Sequence, residues 1–126
     1  MPARRAKDAL GQAAESHAMR LLEGKGYRLI TRNWRCQDGE IDIVMLDGDE
    51  LVFVEVKARR GDRAGRADDA ISNTKADSLM ASGEWFVAEH PEHHDRIWRI
   101  DLLAISIDPR TGSASVNHYE NAIVTG

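Results

Sequence analysis

Cysteine is almost absent: Cys36 is the only thiol in 126 residues. A lone thiol excludes an intrachain disulfide and fits a reducing compartment. It falls in an expected turn, Arg35 to Gly39, without a located histidine partner, so it reads as a bland thiol and not a nucleophile. Long apolar runs are missing too. Leu51 to Val54 and Leu102 to Ile105 are far too short to span a bilayer. The basic stretch Met1 to Leu10 lacks the apolar segment of a signal peptide. These absences predict a cytoplasmic protein with no membrane association. With no repeat, low-complexity tract or linker, the chain reads as one domain over residues 1–126, residues 1–6 forming a frayed arm.

A surplus of positive charge is also lacking. The chain carries 17 Lys/Arg against 21 Asp/Glu, a net charge of −4. That total argues against nucleic acid as a partner. The distribution is uneven, however. Residues 1–66 hold 13 basic and 11 acidic side chains, and residues 67–126 hold 4 and 10. The segment Lys57 to Arg66, with Arg59, Arg60, Arg63 and Arg66 against Asp62, reads either as a solvated loop or as a phosphate-contacting edge.

What is present is clear periodicity. Leu10, Ala14, Ala18, Leu21 and Leu22 recur at three- and four-residue steps, predicting a helix from about Lys7 to Gly24. Tyr27 to Trp34 reads as a strand, followed by a turn at Cys36 to Gly39. Glu40 to Leu46 and Leu51 to Lys57 are Val- and Ile-rich runs joined by Asp47-Gly48-Asp49-Glu50, a hairpin signal. Gly61 to Arg66 reads as a flexible loop. Ser72 or Thr74 caps a second helix to about Val87, which Gly83 weakens by about 1 kcal/mol relative to alanine. Strands are expected at Arg96 to Ile107 and Ala114 to Tyr119. The order α-β-β-β-α-β-β predicts an α/β sandwich, a mixed central sheet flanked by helices.

The hairpin concentrates the chemistry. Strand side chains alternate faces, so Glu40 and Asp42 share a face of one strand, and Glu55 and Lys57 share a face of the next. If the loop is Gly48-Asp49 or Asp47 to Glu50, Asp42 lies opposite Glu55; if it is Asp47-Gly48, Glu40 does. Every even-length loop places all four charges on one face, with Val44, Leu46, Leu51 and Phe53 beside them. Ile41, Ile43, Met45, Val52, Val54 and Val56 fall on the other. Strands apolar on both faces are central strands. Three carboxylates at their ends repel one another and lose hydration, so compensation is required. Lys57 supplies one charge, and a hard divalent cation such as Mg²⁺ suits the oxygen ligands. A structural salt-bridge network, or hydrated strand ends, accounts for the same four residues.

The motifs Gly39-Glu40-Ile41-Asp42-Ile43-Val44 and Leu51 to Arg59, with Gly26-Tyr27, Arg32-Asn33-Trp34, Lys75 and Arg99-Ile100-Asp101, resemble the YraN family of uncharacterised bacterial proteins. That family is regarded as a set of predicted endonucleases, similar to archaeal Holliday-junction resolvases and to PD-(D/E)xK nucleases. The resemblance runs from Gly11 to about Ile123. It implies a restriction-endonuclease-like fold and a metal-dependent nuclease, using Mg²⁺ or Mn²⁺ on nucleic acid, with DNA the expected substrate. Asp42 corresponds to the acid of the first motif, though Ile41 stands where that motif has proline. Glu55 corresponds to the second acidic metal ligand. Lys57 corresponds to the motif lysine, which orients water and stabilises phosphate charge. Glu15, preceded by Ala14 where the family has glycine, and Glu40 are supporting candidates. Arg59, Arg60 and Lys75 are candidate nucleic-acid contacts.

Other features read as structure. His90, His93 and His94 lack the second ligand pair of a closed zinc site and read as a polar loop. Asp101 is expected to pair with a neighbouring arginine, and Trp34, Trp85 and Trp98 to lie in the core. Two competing functions stand beside the nuclease: a non-catalytic nucleic-acid-binding module on the same fold, and a protein-interaction subunit. The strand near Ala114 to Tyr119 offers an edge for a homodimer.

Overall fold

Asp8 opens the first helix, α1 (Ala9–Gly24). Its side chain accepts a hydrogen bond from the Gly11 N–H at 2.8 Å, satisfying a donor that every helix start leaves unpaired. The structure is a computed structural model and describes residues 8–61 and 69–123. The expected arm, the helix start at Lys7 and the loop residues 62–66 lie outside the described residues. Ala14, Ala18 and Leu22, four residues apart, form the buried stripe of α1.

Five strands and a second helix follow: β1 (Arg28–Cys36), β2 (Gly39–Asp47), β3 (Glu50–Arg60), α2 (Asn73–Glu89), β4 (Trp98–Ile107) and β5 (Ala114–Tyr119). A short 3-10 turn, Pro91–His93, leads into β4. The expected order is therefore the observed one. Ser72 is the α2 cap, accepting from the Lys75 N–H at 3.2 Å, and the helix runs to Glu89, beyond the expected end at Val87. The sheet is mixed, in the order β1-β2-β3-β4-β5. Only β3 and β4 are parallel, and α2 makes the crossover between them. No helix among the described residues is long and apolar enough to cross a membrane.

The sheet is buried on both faces. Ile43, Met45, Val52, Val54, Leu103 and Ile105 pack beneath Ala14, Ala18 and Leu22 of α1. Val44, Leu46, Leu51, Phe53 and Ile100 pack against Leu79 and Phe86 of α2. Each such side chain contributes about 1.5–3 kcal/mol on burial. The α2 side is the aromatic one. Trp34 meets Phe86 edge-on at 5.1 Å between centroids, and Phe53 meets Trp98 at 5.2 Å. Trp85 departs from its expected place in the core. It is 38% exposed, and its indole N–H donates to Asp38 at 2.6 Å, tying α2 to the β1–β2 turn.

Gly83 has a packing reason that helix propensity hides. A Cβ there would stand 2.8 Å from the Trp98 ring and 3.0 Å from the Phe53 ring. The glycine lets α2 settle onto the aromatic layer. Gly83→Ala gains about 1 kcal/mol of helix propensity but incurs overpacking of about 1–3 kcal/mol. The expected net result is a lower denaturation midpoint in urea; a higher midpoint would show that the rings yield without cost.

Candidate active site

The pairing of β2 with β3 decides where the acids go. Asp47 pairs with Glu50, so the turn is Gly48-Asp49, with Gly48 at φ 59. The ladder runs to Ile43 opposite Val54, a register that sets Asp42 opposite Glu55 one step further on. At that step the ladder stops. The Val56 N–H donates to Oδ2 of Asp42 at 2.8 Å, so a carboxylate takes the donor. Beyond this point β2 pairs with β1, and β3 with β4. Asp42 and Glu55 therefore stand at a fork in the sheet.

The fork also reverses a face. Ile41 packs on the α2 side with Val44 and Leu46, not with Ile43 and Met45 as strict alternation requires. Opposite this point on β1, between Arg32 and Trp34, Asn33 adopts a left-handed φ of 54. Asparagine tolerates that conformation better than most residues, and it reorients the strand. The expectation that all four charges share one regular face is corrected accordingly. Asp42 meets residues of α1, whereas Glu55 reaches a lysine of α2.

A pocket of about 300 Å³ opens at the fork. Gly11 and Glu15 of α1, Glu40 and Asp42 of β2, and Glu55 and Val56 of β3 line it, with Ala58 and Lys75 at its border. The four candidate acids are thus brought together. Lys57 follows Glu55 by two residues on β3 and is half-buried, but it does not line the pocket. Lys75 meets Glu55, its Nζ 3.4 Å from Oε2. Arg32 of β1 supports the other side, its guanidinium 3.3 Å from Oε1 of the buried Glu15.

Burial is the largest cause that pushes the Glu55 carboxyl up, to about 8; the negative charge of Asp42 and a hydrogen bond with it add to this, and Lys75 opposes it. The Glu55 carboxyl therefore keeps its proton near neutrality. Among the described residues no three His, Cys, Asp or Glu side chains converge as a ready-made ion cage. The donor set still fits a hard divalent cation. Clustered carboxylates repel each other, and a cation relieves the repulsion that the Glu55 proton now relieves.

The remaining candidates fall elsewhere. Arg59 pairs with Asp69 at 2.6 Å, with both side chains nearly buried, and the Tyr119 hydroxyl donates to the same carboxylate at 3.3 Å. Its expected place at a phosphate is corrected: the guanidinium anchors the chain that follows β3. Arg60 is exposed at the end of β3. Asp101, fully buried, accepts from Arg99 Nε at 3.0 Å, from His118 Nε2 at 2.8 Å and from the Asn121 N–H at 2.9 Å. Burial alone would raise its carboxyl, but these donors outweigh burial and hold it below the ordinary range. The pairing with a neighbouring arginine is as expected. His90 stacks on Phe86 at 3.9 Å, and His93 Nδ1 accepts from Arg96 Nε at 3.0 Å.

Two site features escaped the sequence reading. The Val56 N–H leaves no trace in residue identity, because any residue but proline carries it. Arg32 was visible as part of a motif, but its pairing with Glu15 needs the tertiary fold. A signal for Gly11 did exist: it stands four residues before Glu15, on the same helix face.

Comparison with known proteins places these residues in a family. The chain is 44% identical over 118 residues to a UPF0102 protein of Frankia casuarinae, covering 94% of this chain and 98% of that one. It is 43% identical over 114 residues to a UPF0102 protein of Roseiflexus castenholzii, covering 90% and 92%. Among solved structures it is similar to SfsA of Pyrococcus furiosus in complex with Ca²⁺, at a TM-score of 0.41 and 18% identity, covering 92% of this chain and 64% of that one. The uncharacterised protein family UPF0102 matches residues 14–105, which include every acid at the fork, and this chain belongs to that family.

Proposed function

We propose that this protein is a metal-dependent endonuclease that hydrolyses phosphodiester bonds, with structured or branched DNA as its substrate and Mg²⁺ or Mn²⁺ as its cofactor. One observation carries the proposal: Asp42 and Glu55, on adjacent strands, share an open pocket with Glu15, Glu40 and a lysine. The motif resemblance supplies the reaction class. When bound, the ion would neutralise non-bridging phosphate oxygens and lower the pKa of an attacking water.

The chain's own groups divide the remaining work. The Val56 N–H fixes the orientation of Asp42. Glu55, released from its proton, completes the pair of principal ligands. Glu15, steadied by Arg32, and Glu40 line the pocket, where they would hold water beside the ion. Lys75 stands at the rim, where it can leave Glu55 for a phosphate oxygen. Lys57 is assigned the motif lysine's part, stabilising charge as it builds on the phosphate.

A second reading draws support from the hydrogen bond between Asp42 and Glu55. Acids joined by a hydrogen bond that the Glu55 proton makes need no ion, which suits a non-catalytic nucleic-acid-binding module. Calorimetric titration with Mn²⁺ separates the two. Binding is expected in the wild type and lost in both Asp42→Asn and Glu55→Gln. Cleavage of a labelled DNA junction or flap in Mg²⁺ should fall by about a hundredfold or more in each variant. DNA binding with no cleavage, unchanged by Asp42→Asn, would favour the module.

The Glu55 proton makes a separate, signed prediction. Its folded value of about 8 exceeds the ordinary 4.5, so the folded state binds the proton more tightly than the unfolded chain. The resulting stability is fully present below pH 4.5 and is lost as pH rises towards 8. Glu55→Gln, a mimic of the protonated form, should flatten that decline in metal-free urea unfolding. Parallel declines in both proteins would mean that Glu55 holds no such proton.

A further inference from the structure

The edge strand β1 carries Arg28, Arg32 and Arg35. On a regular strand residues three apart face opposite ways. Arg32 and Arg35 nevertheless both attend the same pocket. Arg32 reaches Glu15, and Arg35 stands directly opposite Glu40 in the β1–β2 register; both acids line the fork. Asn33, at φ 54, lies between the two arginines, where the strand turns. A left-handed non-glycine residue is strained and persists where its surroundings hold it. Here the result is a second arginine brought alongside the acids. Arg28 differs: it is exposed and stands opposite Leu46, whose side chain packs on the α2 face.

The pocket's charges require an outer cationic rim. Four carboxylates line it against Lys75, and Arg32 is engaged with Glu15. Arg35 is exposed and follows Trp34, which packs on the α2 side, so alternation turns it the other way, whereas Lys75 reaches the acids from α2. We propose that Arg35 is a phosphate-binding residue that holds the nucleic-acid backbone against the β1 edge, beside the fork, with Arg32 as its positioning neighbour. This assignment rests on the nuclease reading. It identifies the path of the bound strand: past the open β1 edge of the sheet and across the pocket towards Lys75. A guanidinium suits that task because it offers several donors in a fixed plane to phosphate oxygens.

The test measures fluorescence anisotropy of a labelled DNA junction over a series of salt concentrations, with Ca²⁺ in place of Mg²⁺. Wild type, Arg35→Ala, Arg35→Lys and Arg28→Ala are compared. Arg35→Ala should weaken binding about tenfold and make the slope of log affinity against log salt shallower by about 0.9, the value of one duplex phosphate contact. Arg35→Lys should restore the slope, and Arg28→Ala should leave it unchanged. In Mg²⁺, KM should rise in Arg35→Ala while kcat stays within about twofold, and Mn²⁺ calorimetry should match wild type. An unaltered slope in Arg35→Ala, or an equal loss in Arg28→Ala, overturns this assignment while wild-type cleavage upholds the nuclease. Wild type that binds Mn²⁺ but neither binds nor cuts DNA overturns both.

Discussion

The antiparallel register of β2 on β3 is the constraint from which the rest follows. A two-residue turn with Gly48 at positive φ sets it, and a slip of one residue would exchange the two faces of the hairpin. Polarity does not resist such a slip, because both faces are apolar. Shape does. The α1 side receives medium aliphatic side chains under Ala14, Ala18 and Leu22. The α2 side receives Phe53 in a layer with Phe86, Trp34 and Trp98, made accessible by Gly83. Moving Phe53 beneath the alanines of α1 would overpack one layer and leave a cavity in the other, and both errors cost several kcal/mol.

The same register sets the two ends of the hairpin in contrast. At the turn end, Arg99 holds Asp47 at 3.1 Å, Glu50 at 2.6 Å and Asp101 at 3.0 Å, and donates to the Tyr27 hydroxyl at 2.8 Å. Its cation is built into β4, and breaking its buried pair with Asp101 typically costs about 3–5 kcal/mol. At the fork end the acids are held by mixed partners. Asp42 takes a backbone donor, Glu15 takes Arg32, and Glu55 takes a proton and Lys75. A cluster closed by its own arginine is a structural clamp. A cluster that holds a proton at a carboxyl well above its ordinary range, in an open pocket, is the one with chemical work available to it.

Much of this was legible in the sequence. The element order, the cap of α2 and the hairpin follow from periodicity and the Gly-containing turn, and the opposition of Asp42 to Glu55 was one of the registers an even loop allows. The partnership of Arg99 with Asp101 follows from the cost of a lone buried charge. Three features were not legible, each for a physical reason. The reversal at Asn33 and Ile41 depends on one left-handed residue, which periodicity cannot register. The capture of Arg59 by Asp69 joins β3 to chain on the far side of a loop, so local charge counting read it as free. Gly83 looked like a helix defect because its benefit lies in the rings of Phe53 and Trp98.

An acidic chain and an anionic polymer are compatible only if charge is organised locally. The net charge of −4 is dominated by the second half of the chain, whereas β1 brings Arg32 and Arg35 beside the fork. The pocket itself, lined by four carboxylates, repels phosphate in the absence of a cation. On the proposed reading this repulsion is selective. Without an ion, attraction at the β1 edge is opposed by the acids beside it, so nucleic acid gains little by settling there. Neutralising the acids removes the opposition and leaves the arginines and Lys75 in command of the local field. Ion binding and strand binding are then thermodynamically linked, each strengthening the other, through charge alone and with no change of fold.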